Sequence, residues 1–273
     1  MESLEGGMEK MERKLVSGTM LTLLLTSMLT LTFNNIQPVK ASGTIYIRSD
    51  GSVDPPTAPI QRDGDLYTFT GNIYDSIVVE RDNIVVDGAG HTLQGPGYGY
   101  GSGITLSGRS NVIIRNLEIK SFWYGIWLEY SSYNSMSGNN ITNNRRGIGV
   151  YYSSYNSMSG NNITNNGYGI GLERSSDNSI SGNNITNNGH GIELQPSSNN
   201  KFWHNNFIDN TQQVYDYSWE DTGVEPSINV WDDGYPSGGN YWSDYTGIDE
   251  KSGPNQDLSG SDGIGDTPYI IAV

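Results

Sequence analysis

In the segment GIWLEY, Ile126 and Leu128 lie two residues apart, so in an extended strand both point one way and Trp127 and Glu129 point the other. The pattern returns 22 residues on as GIGVY and again as GIGLE, which puts Gly149 and Tyr151, then Gly171 and Glu173, on the same outer side. A further step, GIELQ, adds Glu193 and Gln195. Aromatic rings beside carboxylates suit a carbohydrate. The ring packs on a sugar's apolar face, and the carboxylates accept hydrogen bonds from its hydroxyls. Trp127, Glu129, Tyr151, Glu173 and Glu193 are therefore the candidate carbohydrate-binding residues. Gly149 and Gly171 predict a shallow trough beside an exposed indole, with Tyr124, Tyr130, Tyr133, Tyr152 and Tyr155 adding aromatic area nearby. Such ladders also stabilise a sheet by themselves, so the same residues have a purely structural reading.

Two other sets of residues could do chemistry. In DLSGSDGIGD, Asp257, Asp262 and Asp266 offer hard oxygen ligands among glycines that permit a tight turn, which suits Ca²⁺. The D-x-D-x-D-G spacing and closing Glu of an EF-hand are missing, so the alternative is an acidic turn cluster. Asp232 and Asp233 have the same two readings. Asn140, Asn162 and Asn184 each begin an N-I-T sequon, an acceptor for glycosylation in an exported chain. There is no cysteine, which excludes disulfides, thiolate metal sites and thiol catalysis.

The elements that position these residues follow from a 22-residue repeat. Asn134, Asn156, Asn178 and Asn200 form one column at this spacing. Ile114, Met136, Met158, Ile180 and Phe202 form another, as do Ile119, Ile141, Ile163, Ile185 and Phe207. Two more run through Ile104, Ile126, Ile148, Ile170, Ile192 and Val214, and through Leu106, Leu128, Val150, Leu172 and Leu194, after which Asp216 takes the next slot. Apolar residues two apart indicate strands, while Gly, Asn and Ser fill the intervals where tight turns are needed. No segment has a useful helical period, and neither leucine-rich repeats nor propeller blades fit the length and composition. The fold class is all-β: a right-handed parallel β-helix (solenoid) with 22-residue coils of three short strands, stacked at about 4.8 Å. A core shared along a stack also explains how a chain with only 34% hydrophobic residues can fold.

Residues 1–41 read as an export signal: Lys10, Arg13 and Lys14 precede the uncharged stretch Leu15 to Phe33, and Val39-Lys40-Ala41 offers a cleavage site. An uncleaved membrane anchor is the alternative. Residues 42–82 form an amino-terminal cap that includes TIYI and LYTFTGNI, residues 83–216 the coils, and residues 217–273 an acidic, Gly/Tyr/Trp-rich carboxy-terminal cap without the period. The Gly/Tyr-rich segment 95–103 is a bulge inserted in a turn. A secreted or cell-surface location follows from the signal. Net charge is −15, which argues against nucleic acid and against anionic glycans as partners.

The GNNITNNGYGIGL repeat, the segment IVVDGAGHTLQG (84–95) and the tail NYWSDYTGIDEKSGPNQDLSGSDGIGDTPYI (240–270) resemble the NosD-like periplasmic β-helix family, common in archaeal surface proteins, over roughly residues 75–270. The resemblance implies the parallel β-helix. It also implies a copper-related role for some members, whereas others are regarded as carbohydrate-related surface proteins. Copper is not carried over: the histidines are only His91, His190 and His204, and Met136 and Met158 occupy a core column.

The leading expectation is a non-catalytic scaffold that binds a polysaccharide or glycan, and other surface proteins are further possible partners. The alternatives are a polysaccharide lyase or hydrolase on the same fold and a purely structural or adhesive protein. Glu129 and Glu173, two coils and so about 9.6 Å apart, overlap the roughly 6.5–9.5 Å of an inverting carboxylate pair. The Asn-Thr-Asp and Asp-Asp constellation of polygalacturonase-like enzymes is absent except for His190-Gly191, and Arg146 and Arg174 lack the coil aspartates of a pectate-lyase-like site. His190 is read as a surface turn residue in the row Tyr124, Arg146, Tyr168, His190.

Overall fold

A computed structural model describes residues 43–221 and 223–271; the expected export signal at 1–41 lies outside the described residues. Three sheets run along the stack, parallel except for one antiparallel edge strand at the amino-terminal end of the first and of the second. The first has nine strands, among them Ser102–Ser107, Tyr124–Glu129, Arg146–Tyr151, Tyr168–Glu173, His190–Gln195 and Gln212–Asp216. The second has eight strands and includes Ser135–Ser137, Ser157–Ser159 and Ser179–Ser181. The third has seven and includes Asn140–Thr142, Asn162–Thr164 and Asn184–Thr186. Each coil thus contributes one strand to each sheet, as the repeat predicts for a right-handed parallel β-helix.

Register follows the 22-residue spacing. Ile126 pairs with Ile148, Ile148 with Ile170, Ile170 with Ile192 and Ile192 with Val214. These side chains are buried, as are Met136, Met158, Ile180 and Phe202 of the second sheet and Ile141, Ile163, Ile185 and Phe207 of the third. Each fully buried aliphatic side chain contributes on the order of 2 kcal/mol of transfer free energy. One glycine per coil precedes these isoleucines because the coils touch there: a Cβ on Gly147 would lie 2.5 Å from the carbonyl oxygen of Gly169.

The corners are held by buried asparagines. Asn178 Oδ1 accepts from the Asn156 backbone N–H (2.8 Å) and from its Nδ2 (3.1 Å), while Asn178 Nδ2 donates to Ser153 O (3.1 Å) and to Asn200 Oδ1 (3.0 Å). Two further ladders, through Asn139, Asn161, Asn183 and Asn205 and through Asn144, Asn166, Asn188 and Asn210, do the same at the other corners. Buried turn amides, costly if left unpaired, are thereby satisfied coil by coil.

The ends differ from the repeats. At the amino-terminal end, Val53–Asp54 and Ile60–Asp63 pair antiparallel with Ile45–Ile47 and Leu66–Phe69 and cover the sheet edges. At the other end, Asp216 is buried and its carboxylate accepts the backbone N–H groups of Ser218 and Ser227. The tail then adds a further, irregular turn to the stack. Asn229 and Asn240 join two of the asparagine ladders, and Trp231 stacks on Phe202 (4.2 Å) and Trp242 on Phe207 (4.3 Å). Tyr269 closes on the far face of Trp242 at 4.2 Å.

Candidate functional site

The outer face of the first sheet carries the candidate residues, and register sets their neighbours. Trp127 pairs with Gly149 and Gly149 with Gly171, then Gly171 with Glu193; Glu129 pairs with Tyr151, and Tyr151 with Glu173. All five candidate carbohydrate-binding residues therefore lie on one face. Four consecutive rows of that face decide what a ligand meets.

The trough takes a different form from the one expected. Trp127 is half-buried, and its indole leans along the stack over Gly149, where a Cβ would lie 2.7 Å from both Trp127 and Tyr124. Strand parity sets the side on which the indole emerges but not this lean. Tyr124 packs against Trp127 at 4.3 Å between ring centroids, and Tyr151 stacks on it at 5.9 Å with planes 20° apart. The remaining hollow, about 50 Å³, lies over Gly171 and is lined by Trp127, Tyr124, Arg146, Glu173, Glu193 and Gln195.

Glu193 is not a free acceptor. It is only 4% exposed, and its carboxylate accepts from both terminal nitrogens of Arg146, two coils away; the Nη2 contact is 3.1 Å. Gln195 Nε2 donates to the same carboxylate at 3.2 Å. The Arg146 guanidinium also lies over the Tyr168 ring at 4.5 Å. This pair went unread in the sequence because its partners stand in different rows; the signal was a lone outward arginine separated from a lone outward glutamate by a glycine. Glu173 borders the hollow, and Glu129 has one weak contact, from Ser107 Oγ at 3.5 Å.

The carboxylate pair of the enzyme alternative flanks an aromatic residue. Register sets Tyr151 between Glu129 and Glu173. Burial, the neighbouring phenols of Tyr152 and Tyr130, and the Glu173 carboxylate all push the Tyr151 phenol up from its ordinary value, so it stays neutral. His190 keeps its place in the row but is not the surface turn residue expected: it opens the strand His190–Gln195 and is half-buried between Tyr168 (4.9 Å) and Tyr215 (4.7 Å). Burial lowers its pKa, with Glu193 opposing, and its Nδ1 has no hydrogen-bond partner among the described residues. Tyr215 is pushed up to about 12 by burial and by its hydrogen bond with Glu220.

In the tail, the aspartates hold backbone. Asp262 accepts from the N–H groups of Gly253 and Ile264, and Asp266 from those of Glu250 and Lys251, while Asp257 is exposed. No group of three His, Cys, Asp or Glu side chains among the described residues is arranged to hold a metal ion. Asp233 pairs with Lys201, and the Asp232 carboxylate accepts the Gly234 N–H. The sequon asparagines form an outer ladder on the third sheet: Asn162 Nδ2 donates to Asn140 Oδ1 at 2.8 Å and Asn184 Nδ2 to Asn162 Oδ1 at 3.2 Å.

Residues 66–247 match the family described as periplasmic copper-binding protein (NosD). No curated protein is a significant match. Similar solved structures include a periplasmic alginate epimerase, at 24% identity over 55% of this chain and 36% of that one, with a TM-score of 0.46. Another is the enzymatically active domain of bacteriophage CBA120 tailspike protein 2, at 12% identity over 79% of this chain and 38% of that one, with a TM-score of 0.41. The chain thus spans little more than a third of either protein. Among the described residues, both methionines and two of the three histidines are taken up by other contacts, which does not suit a copper site built on them. Met136 and Met158 are fully buried in the core, His190 lies between two tyrosines, and His204 Nε2 bonds the Ser237 carbonyl at 2.8 Å.

Proposed function

This chain belongs to the NosD family, and we propose that it is an extracytoplasmic, non-catalytic protein that binds a polysaccharide on the outer face of its first sheet. The observation that carries the reading is the joined aromatic surface of Tyr124, Trp127 and Tyr151, bordered by the carboxylates of Glu129 and Glu173 and by the hollow over Gly171. Rings of this kind pack on apolar sugar faces, and the flanking carboxylates accept hydroxyl hydrogen bonds. Arg146 is neutralised by Glu193, so no free cation marks the hollow for an anionic sugar. With a net charge of −15, a neutral or cationic glycan is favoured. The export signal expected at residues 1–41 and the periplasmic description of the family support a location outside the cytoplasm.

A printed glycan array, run beside a reducing-end assay on the same polymers, tests this. Binding without release of new reducing ends is expected. Cleavage would move the protein to the enzyme class, and neither binding nor cleavage would leave a structural or adhesive scaffold.

A further inference from the structure

The corner that follows the strands Ser102–Ser107, Tyr124–Glu129, Arg146–Tyr151 and Tyr168–Glu173 of the first sheet turns through two residues with left-handed backbone. In the coil of Trp127 these are Tyr130 (φ 48°) and Tyr133 (φ 63°), and in the next coil Tyr152 (φ 45°) and Tyr155 (φ 59°). The coil before meets the same geometry with Gly108 and Asn111, the coil after with Arg174 and Asp177. Glycine, asparagine and aspartate are the residues that tolerate this region; a bulky ring is disfavoured there. The fold therefore asks for a left-handed residue at these four places, not for tyrosine. Residues held in such conformations gather at ligand clamps, where the strain serves a function.

The four rings are exposed, at 60% for Tyr130, 61% for Tyr133, 37% for Tyr152 and 53% for Tyr155. They are also stacked in pairs: Tyr130 on Tyr152 at 5.3 Å and Tyr133 on Tyr155 at 5.2 Å with planes 6° apart. Tyr151 joins them to the sheet face, edge-on to Tyr152 at 4.5 Å and to Tyr130 at 5.9 Å. The outer face of Tyr130 is open, because Gly108 beside it has no side chain and nothing lies within 4 Å of where its Cβ would be. On the opposite side Arg174 closes the band, its guanidinium over Tyr152 at 5.2 Å and bonded to the phenol oxygen. Tyrosines at these corners occur only in the two coils that also carry Trp127 and Tyr151.

We infer that the glycan lies parallel to the strands, crossing the stack from Trp127 over the corner at Tyr130 and Tyr152 to the pair Tyr133 and Tyr155. The inference rests on the carbohydrate reading proposed above and gives it a direction and a length. The ligand is an extended chain of several neutral or amino-sugar units, not a mono- or disaccharide. The tyrosines at the far end act as an outer subsite that only longer chains reach.

The test compares the wild-type chain with the double variant Y133N/Y155N on an array that carries neutral and amino-sugar polysaccharides with their dimers through hexamers. Asparagine occupies the same left-handed position in a neighbouring coil as Asn111, so the variant keeps the corner and its melting temperature should stay level or rise. The expected result is about a tenfold loss of hexamer affinity with dimer affinity unchanged. W127A should weaken dimers and hexamers together. Equal hexamer affinity in wild type and double variant overturns the inference while leaving the carbohydrate reading intact. A change in sedimentation from oligomer to monomer in the double variant overturns it in favour of a second copy of the chain. Failure of the wild-type chain to bind any printed glycan removes both.

Discussion

Arg146 and Glu193 meet across Gly171, two coils apart along the stack, and the contact exists because the intervening residue has no side chain. A Cβ on Gly171 would lie 3.0 Å from Arg146 Nη1 and 3.2 Å from Glu193 Oε2. Glu193 is nearly buried and Arg146 partly so, which makes the loss of one partner costlier than the pair itself is stabilising. Glu193→Ala should cost about 2 kcal/mol in urea unfolding, and Arg146→Ala less, with the double variant closer to wild type than the sum of the two. Additive single losses would mean the pair carries no coupling. Gly171→Ala should cost less than Glu193→Ala, since the far end of Arg146 can shift.

His190 gives a pH dependence. Its folded pKa lies below the ordinary value of 6.5, because burial disfavours the cation and outweighs Glu193. The unfolded chain therefore binds this proton more readily. The folded state keeps its full stability above pH 6.5 and loses part of it as pH falls from there through the lowered pKa. Across that window the melting temperature of wild type should fall relative to that of His190→Gln. Parallel curves for the two proteins would mean that His190 does not titrate differently on folding.

Much of this structure was legible in the sequence, for a physical reason. In a parallel stack, like residues lie on like, so a column at 22-residue spacing is both a sequence pattern and a contact, as in Ile148, Ile170 and Ile192. The same holds for Asn134, Asn156, Asn178 and Asn200. Strand parity also gave the side on which Trp127 and Glu129 emerge. What parity does not carry is displacement along the stack, and two misread features are of that kind: the lean of Trp127 over Gly149, and the reach of Arg146 past Gly171 to Glu193. The last turn was hidden for another reason. Asn229 and Asn240 enter the ladders 29 and 35 residues after their partners Asn200 and Asn205, because inserted loops break the period.

The ladders themselves are testable at Asn178. Its side chain serves two groups of Asn156 and reaches Ser153, Ser176 and Asn200, all within the stack. Asn178→Ala should cost about 3 kcal/mol, since it leaves several buried amide and carbonyl groups unpaired. Ile170→Asp should cost at least as much by burying an unpaired charge in the core column. Unchanged thermal unfolding of Ile170→Asp would sink the stacking register.

Calcium has its own measurement. Asp262 and Asp266 each accept two backbone N–H groups, so their charge is already stabilised by the turns they close. EDTA should therefore leave the melting temperature of the full chain unchanged. A drop with EDTA that Ca²⁺ reverses and Asp262→Asn removes would assign Asp257, Asp262 and Asp266 to a cation loop.

Trp127 is where binding and stability must be separated. The indole is packed between Tyr124 and Tyr151 and covers Gly149, so its removal strips two aromatic contacts and uncovers backbone. Trp127→Ala should cost about 1–2 kcal/mol of stability, more than for a freely exposed ring, and should weaken glycan binding about tenfold. Trp127→Phe separates the two effects. It keeps a ring against Tyr124 and Tyr151, which restores most of the stability, but presents a smaller platform to a sugar and should recover only part of the affinity. Isothermal titration with the array-selected glycan, at a temperature well below every variant's melting point, reads the two quantities independently. If Trp127→Ala lowers stability as expected while affinity stays at the wild-type value, the indole is a rung of the aromatic ladder and the glycan lies elsewhere.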